Sequence, residues 1–128
     1  MANNEKLYIS QEDLYRFGNS SSAQMNRLRP GEIDTYTING IEMVKASNEG
    51  ISLYNKEGLD ETELTGWVWE IKAGTPFPPE LKLIKDNNPL GHHTLAPAVN
   101  MPKSQYIGLL EQVAVRCKKV FKKKAVRY

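Results

Sequence analysis

The sequence is poor in the residues that build several common kinds of site. It has a single cysteine, Cys117, so no disulfide can form within the chain, which fits a reducing cytoplasm. With that one cysteine and only two histidines, no cluster has the spacing of a structural zinc site. No apolar run approaches the roughly 18 residues of a membrane span, and the opening MANNEKLYIS lacks the apolar segment of a secretory signal. We therefore expect a cytoplasmic protein with no metal site and no membrane insertion.

Motifs of the familiar catalytic loops are also missing. The sequence contains no phosphate-binding loop, no nucleophile elbow and no metal-binding helix motif. Its 128 residues, 40% hydrophobic and 25% charged, are enough for one hydrophobic core but not for two. We expect a single domain over residues 1–128, and a monomer by default.

Positive charge is concentrated near the C-terminal end. Seven of the 17 Lys and Arg residues lie between Arg116 and Arg127, whereas all 15 acidic residues precede this segment. Such a basic tail could contact nucleic acid, an anionic membrane or an acidic partner. It could equally be the solvated end of a helix, where cations suit the helix dipole. The second interpretation is favoured because the rest of the chain is acidic.

Most of the chain has the pattern of short β-strands separated by turns. Asn39-Gly40 lies between two β-prone runs and predicts a hairpin, because both residues tolerate the positive φ of a type I′ turn. Alternating or short apolar runs predict further strands. These cover residues 14–18, 51–55, 67–72, 81–84 and 92–96.

The spacing of apolar residues changes after Pro102. From Tyr106 to Phe121 they recur every three to four residues, which predicts an amphipathic helix of about five turns packed on the sheet. The basic tail, from about residue 116, would form the last turns of this helix. The predicted fold class is α+β, with a mostly antiparallel β core and one long C-terminal helix.

The two histidines are adjacent on a predicted strand. Because side chains alternate along a strand, His92 and His93 should point to opposite faces, one toward a cleft or solvent and the other into packing. A serine on a middle strand, Ser52, is either a tolerated small residue or a nucleophile with one of these histidines as its base. The missing elbow motif disfavours the second interpretation.

An early arginine also needs explanation. Arg16 lies between Tyr15 and Phe17, and burying its guanidinium without a partner would cost several kcal/mol. It could be exposed at a sheet edge or paired with a carboxylate. Alternatively it could bind an anion, since its planar fork suits phosphates.

Several segments together resemble a known family. They are GTPFPPELKLIKD at 74–86, HHTLAP at 92–97, Tyr106, GISLY at 50–54 and LYR at 14–16. These segments look like type VI secretion effector toxins with an ADP-ribosyltransferase-like fold, small bacterial effectors that act in a cytoplasm. The similarity covers residues 50 to about 113 and the short opening strand, and leaves residues 18–49 unmatched.

The resemblance implies an NAD-dependent site. Tyr15 and Arg16 fall in the motif that binds NAD, and Ser52 falls in the serine-centred motif that braces the pocket. His92 takes the place of a late-strand histidine of the family, with His93 as the weaker candidate. The resemblance also implies a cognate immunity protein, a secretion machinery that delivers the toxin into a recipient cytoplasm, and an unidentified target macromolecule.

Two departures from the family pattern leave alternatives open. No glutamate occupies the position of the third transferase motif, and Ile51 stands where a hydroxyl residue is expected. An RNA 2′-phosphotransferase-like enzyme shares this fold and uses NAD on nucleic acid. A non-catalytic binding module that keeps the fold is the alternative from a different functional class.

Overall fold

A computed structural model describes residues 6–7, 9–28 and 32–125 of the chain. These residues contain ten β-strands and two α-helices. The strands are β1 (Lys6–Leu7), β2 (Leu14–Gly18), β3 (Thr35–Ile38), β4 (Ile41–Val44), β5 (Ile51–Tyr54), β6 (Gly66–Ile71), β7 (Leu81–Ile84), β8 (His92–Pro97), β9 (Met101–Pro102) and β10 (Lys118–Lys123). The helices are α1 (Lys56–Glu61) and α2 (Lys103–Ala114).

The strands form two sheets. One has seven strands in the order β1-β7-β8-β5-β2-β6-β10, and the other has three in the order β3-β4-β9. Every strand pair in the described ranges is antiparallel. The architecture confirms the predicted α+β class with a mostly antiparallel core.

The main hydrophobic core lies between the larger sheet and α2. Tyr106 on α2 is fully buried, and its hydroxyl donates a 2.8 Å hydrogen bond to the carbonyl of Leu95 on β8. A buried tyrosine hydroxyl needs such a partner, so this bond sets the helix against the sheet. At the start of β5, a Cβ on Gly50 would lie 2.1 Å from the same carbonyl oxygen. The close approach of β5 to β8 therefore requires glycine there.

The predicted hairpin is confirmed. β3 and β4 pair from Thr35 opposite Val44 to Ile38 opposite Ile41. Asn39 and Gly40 form the turn with φ of 51° and 77°, the left-handed conformation that a type I′ turn demands at both central positions.

The prediction of one long C-terminal helix is wrong for the second half of that segment. α2 ends at Ala114 after 12 residues, and a tight turn follows in which Arg116 N–H donates to the Val113 carbonyl. The basic segment is then the edge strand β10, antiparallel to β6, and not a helical tail. Its end, residues 126–128, lies outside the described residues. Neither helix in the described ranges is long and apolar enough to cross a membrane.

Side chains explain why a strand is preferred there. Val120 and Phe121, which the helical pattern placed on the core, stay 39% and 42% exposed in the strand, so burial of these two side chains does not account for it. The strand instead satisfies the edge of β6 and lays Lys119 over the Trp67 ring, with Nζ 4.7 Å from the ring centroid. Lysines on such an edge also discourage pairing with another chain.

Candidate active-site cleft

A cleft opens beside the junction of β2 and β5. These two strands pair at a single position, Tyr15 opposite Tyr54, whereas β2 pairs with β6 over five positions. The cleft is small, with a volume of about 180 Å³, below the roughly 300–1,000 Å³ of most small-molecule sites, and it opens to solvent. It is lined by Arg16, Phe17, Gln24, Arg27, Glu32, Ser52, Tyr54 and Leu64.

Arg16 ties the two walls of this cleft together. From β2, its Nη1 donates to the Ser52 carbonyl on β5 at 3.0 Å. Its Nη2 donates to the carbonyls of Gln24 and Arg27, at 3.1 and 3.3 Å, in the loop that follows β2. The guanidinium fork thus bonds three main-chain oxygens, and neither sequence interpretation had anticipated main-chain partners. Its positive charge nevertheless remains at the cleft.

Ser52, His92 and Asp86 form a hydrogen-bonded chain in which Ser52 lines the cleft and the other two residues lie behind it. His92 Nε2 lies 2.9 Å from Ser52 Oγ, and His92 Nδ1 lies 2.7 Å from Asp86 Oδ1. The His92 side chain is 14% exposed. A serine, an imidazole and an orienting carboxylate at such distances are the arrangement that activates a hydroxyl group. The structure therefore brings together Arg16, Ser52 and His92, three of the predicted site residues.

Aromatic rings complete one side of the site. The rings of Phe17 and Tyr54 meet edge to face with centroids 6.2 Å apart, and Tyr54 meets the His92 imidazole in the same way at 5.5 Å. These contacts hold His92 against β5.

Tyr15 is placed differently from the other predicted site residues. In the described part of the chain it is absent from the cleft lining, and its ring packs in a small cluster with Leu59 and Val68. Burial, with the neighbouring Glu70 side chain, raises the pKa of Tyr15 to about 12, so its hydroxyl stays protonated at neutral pH.

His93 points to the opposite face of β8 from His92, as strand alternation predicts. It is 2% exposed, and its Nδ1 lies 3.1 Å from the Gly91 carbonyl oxygen, a contact suited to a hydrogen bond from Nδ1–H. Its Nε2 lies 3.6 Å from Glu12 Oε2. Burial lowers the pKa of His93, outweighing the Gly91 carbonyl and the Glu12 carboxylate that favour its charged form. His93 is thus a packed, neutral residue outside the cleft lining.

This burial predicts a pH-dependent stability. In the unfolded chain His93 has a pKa near 6.5, and in the folded chain its pKa is lower. Below about pH 6.5 the unfolded state therefore binds more protons than the folded state. The contribution of neutral His93 to the free energy of unfolding is complete above about pH 6.5, and it is lost as the pH falls toward the pKa of the folded state. Lys85 disfavours protonation of His93 and Asp86 favours it, and both residues are present in the parent and in the His93→Gln variant. We expect the thermal midpoint of the parent to fall more steeply from about pH 8 to about pH 5 than that of His93→Gln. If the thermal midpoints of the two proteins fall equally with pH, the pKa of His93 is not lowered by folding.

Several residues of the site carry no signal of their role in the sequence. Asp86 closes the GTPFPPELKLIKD segment of the family resemblance, but it lies in the loop between β7 and β8 and no pattern in the sequence predicts its role. Gln24, Arg27 and Glu32 come from the irregular segment between β2 and β3, and only its folding over β2 brings them to the cleft. Arg27 is exposed there, and within the described residues its guanidinium makes no hydrogen bond or ion pair. The same residues offer no group of His, Cys, Asp and Glu side chains that could hold a metal ion.

Comparison with known protein families gives a match over most of the chain. A family model described as Tse2 ADP-ribosyltransferase toxin matches residues 11–121. The match includes residues 18–49, which the sequence resemblance had left uncovered, and it confirms both that resemblance and the ADP-ribosyltransferase-like type of the fold. No curated protein and no solved structure matches the chain.

Proposed function

We propose that this chain, which belongs to the Tse2 ADP-ribosyltransferase toxin family, is an NAD-dependent toxin delivered by a type VI secretion machine into the cytoplasm of a recipient bacterium. The observation that carries the proposal is that Arg16 and Ser52 line one cleft and His92 is joined to it through Ser52, by hydrogen bonds of 3.0 and 2.9 Å. Those residues come from three strands, and each is where the family resemblance places a functional side chain.

The cleft fits the chemistry of NAD. The exposed Arg27 guanidinium suits the diphosphate, and the charge of Arg16 adds to the same positive environment. Phe17 and Tyr54 offer ring surfaces for a base or the nicotinamide, and the Ser52 hydroxyl can hydrogen-bond to a ribose. When bound, NAD supplies an ADP-ribosyl group whose bond to nicotinamide breaks through an oxocarbenium-like state.

The chain's own contribution is preorganised polarity. Ser52 and His92 are already hydrogen-bonded to each other, so their dipoles need little reorganisation when charge develops nearby. Glu32 also lines the cleft, and its carboxylate is suited to steady positive charge on a ribose. This would supply from the loop before β3 the acidic group that the sequence pattern lacks at the third transferase motif.

The toxin assignment carries partners with it. We propose that the producer cell is protected by a cognate immunity protein that covers the cleft mouth, and that the toxin modifies a target macromolecule in the recipient. The chain would act as one domain and as a monomer when free of its immunity protein.

RNA is a second candidate target, and strand β10 is the observation that favours it. Lys118, Lys122 and Lys124 are exposed along this edge of the sheet that holds the cleft. Two other lysines are engaged in the fold, since Lys119 Nζ donates to the Ser20 carbonyl and Lys123 Nζ donates to the Thr62 carbonyl. The basic strand is therefore partly a brace and partly an available cationic surface.

The test is incubation of the purified chain with NAD. We expect NAD to bind and its positively charged ring to leave as neutral nicotinamide, whereas NADH, whose uncharged reduced ring would have to leave as an anion, should bind without release. Label from the adenylate part of NAD is then followed into a protein fraction and, separately, into RNA. Transfer to protein supports the leading proposal, transfer to RNA supports the second, and absence of NAD binding would favour the non-catalytic module.

A further inference from the structure

Both oxygens of the Asp86 carboxylate are engaged. Oδ1 lies 2.7 Å from His92 Nδ1, and Oδ2 accepts a 2.8 Å hydrogen bond from the Thr94 hydroxyl. The two partners share one face of β8, so the carboxylate bridges them along the strand. A carboxylate held at both ends has little freedom to turn away from the imidazole.

The loop that carries Asp86 is itself fixed. It closes with the Asn87 N–H donating to the His92 carbonyl at 2.9 Å and the His92 N–H donating to the Pro89 carbonyl at 2.9 Å. Asn87 also accepts a 2.6 Å hydrogen bond from the Gly91 N–H through its side-chain oxygen. Asp86 is thus positioned by the path of the β7–β8 connection rather than by its own side chain alone.

This geometry determines which nitrogen of a neutral His92 carries the proton. An ionised carboxylate can only accept, so the nitrogen beside Asp86, Nδ1, must donate. Nε2 is then left with a lone pair, and the only proton available for the 2.9 Å contact with Ser52 is that of the serine hydroxyl. The Ser52 proton therefore points to His92, and the oxygen lone pairs are left for the cleft.

We infer that Asp86 is a positioning residue of the site: it holds His92 in the Nδ1–H tautomer and thereby turns the Ser52 hydroxyl into a hydrogen-bond acceptor toward the cleft. The inference rests on the proposed function, because it specifies which chemical group of a bound ligand Ser52 recognises. That group is a donor, such as a ribose hydroxyl or a water molecule. With the opposite tautomer, Nε2–H would donate to Ser52 and the hydroxyl proton would face the cleft instead.

The tautomer can be measured directly and without NAD. The chain is made by cell-free synthesis with ¹⁵N-histidine, which avoids toxicity, and long-range ¹H–¹⁵N spectra are recorded well above the usual pKa of an imidazole. For His92 we expect a protonated Nδ1 and a bare Nε2. A protonated Nε2 in the parent would overturn the inference, whatever the outcome of any activity assay.

Two variants separate positioning from simple support of the loop. Asp86→Asn keeps the shape but offers an amide N–H to Nδ1, so we expect His92 to shift toward the Nε2–H tautomer. NAD turnover should then fall roughly 10²- to 10⁴-fold, as when the orienting carboxylate of a serine–histidine pair is lost. Thr94→Val removes only the contact to Oδ2 and should keep the parent tautomer. If Asp86→Asn leaves the tautomer unchanged, or Thr94→Val changes it equally, Asp86 is not the group that sets it.

Discussion

Alanine in place of Ser52 or His92 is expected to abolish growth arrest and NAD turnover while leaving the fold intact. Both side chains are partly exposed, Ser52 lines the cleft, and His92 is bonded to it at 2.9 Å. Losing a positioned acid–base or hydroxyl group lowers turnover by about 10²- to 10⁴-fold. Because the two residues act as a unit, the double variant should be little worse than either single variant.

Growth of a bacterium that expresses the chain from a tightly controlled promoter provides the readout. Parent, Ser52→Ala and His92→Ala are compared at equal soluble protein, with thermal midpoints measured on purified samples. Ser21→Ala is the matched control, since Ser21 is exposed in the loop after β2 and is absent from the described cleft lining. Arrest by all four proteins would show that the cleft is not the toxic site.

Strand alternation explains what the sequence could predict about this site. The opposite placement of His92 and His93 follows from a local period of two, and so do the buried Ile51 and Leu53 that flank Ser52. Such patterns depend on neighbouring residues in the chain. They do not depend on how distant segments meet, and so they survive folding.

Residues brought to the cleft by loops could not be predicted in the same way. Asp86 reaches His92 only because the β7–β8 connection closes on itself, and Arg27 lies in an irregular segment whose path depends on its bonds to Arg16. The partners of Arg16 could not be predicted either, because they are main-chain carbonyls, which every residue has.

The C-terminal segment shows how a sound pattern can give the wrong element. Apolar residues from Tyr106 to Val113 are buried on one face of α2, in agreement with the helical period. Beyond Ala114 the same period continues, but a second arrangement is available to these residues, which is pairing with the open edge of β6. Short apolar runs suit a strand or a helix, and the available sheet edge decided between them.

The second large effect is expected from Arg16 and separates it from Arg27. Arg16→Ala removes the donors to three main-chain carbonyls that join β2, β5 and the loop after β2. A hydrogen bond from a charged group contributes about 1.5–3 kcal/mol, so we expect the free energy of unfolding to fall by at least about 2 kcal/mol and activity to be lost with the cleft wall. Arg27→Ala makes the same change of charge and size on an exposed side chain, and should leave the thermal midpoint nearly unchanged.

Binding measurements then show which arginine contacts the phosphates of NAD. If Arg27 binds the diphosphate, Arg27→Ala should weaken NAD binding by roughly tenfold, about 1.4 kcal/mol, yet leave nicotinamide riboside, which has no phosphate, bound as in the parent. Arg16→Lys keeps the charge but replaces the fork with a single ammonium, which cannot serve carbonyls on β5 and in the loop together. It should therefore lose stability and weaken both ligands alike. A stable Arg16→Lys variant that loses NAD but keeps the riboside would instead make Arg16 the phosphate-binding residue, with its main-chain bonds secondary.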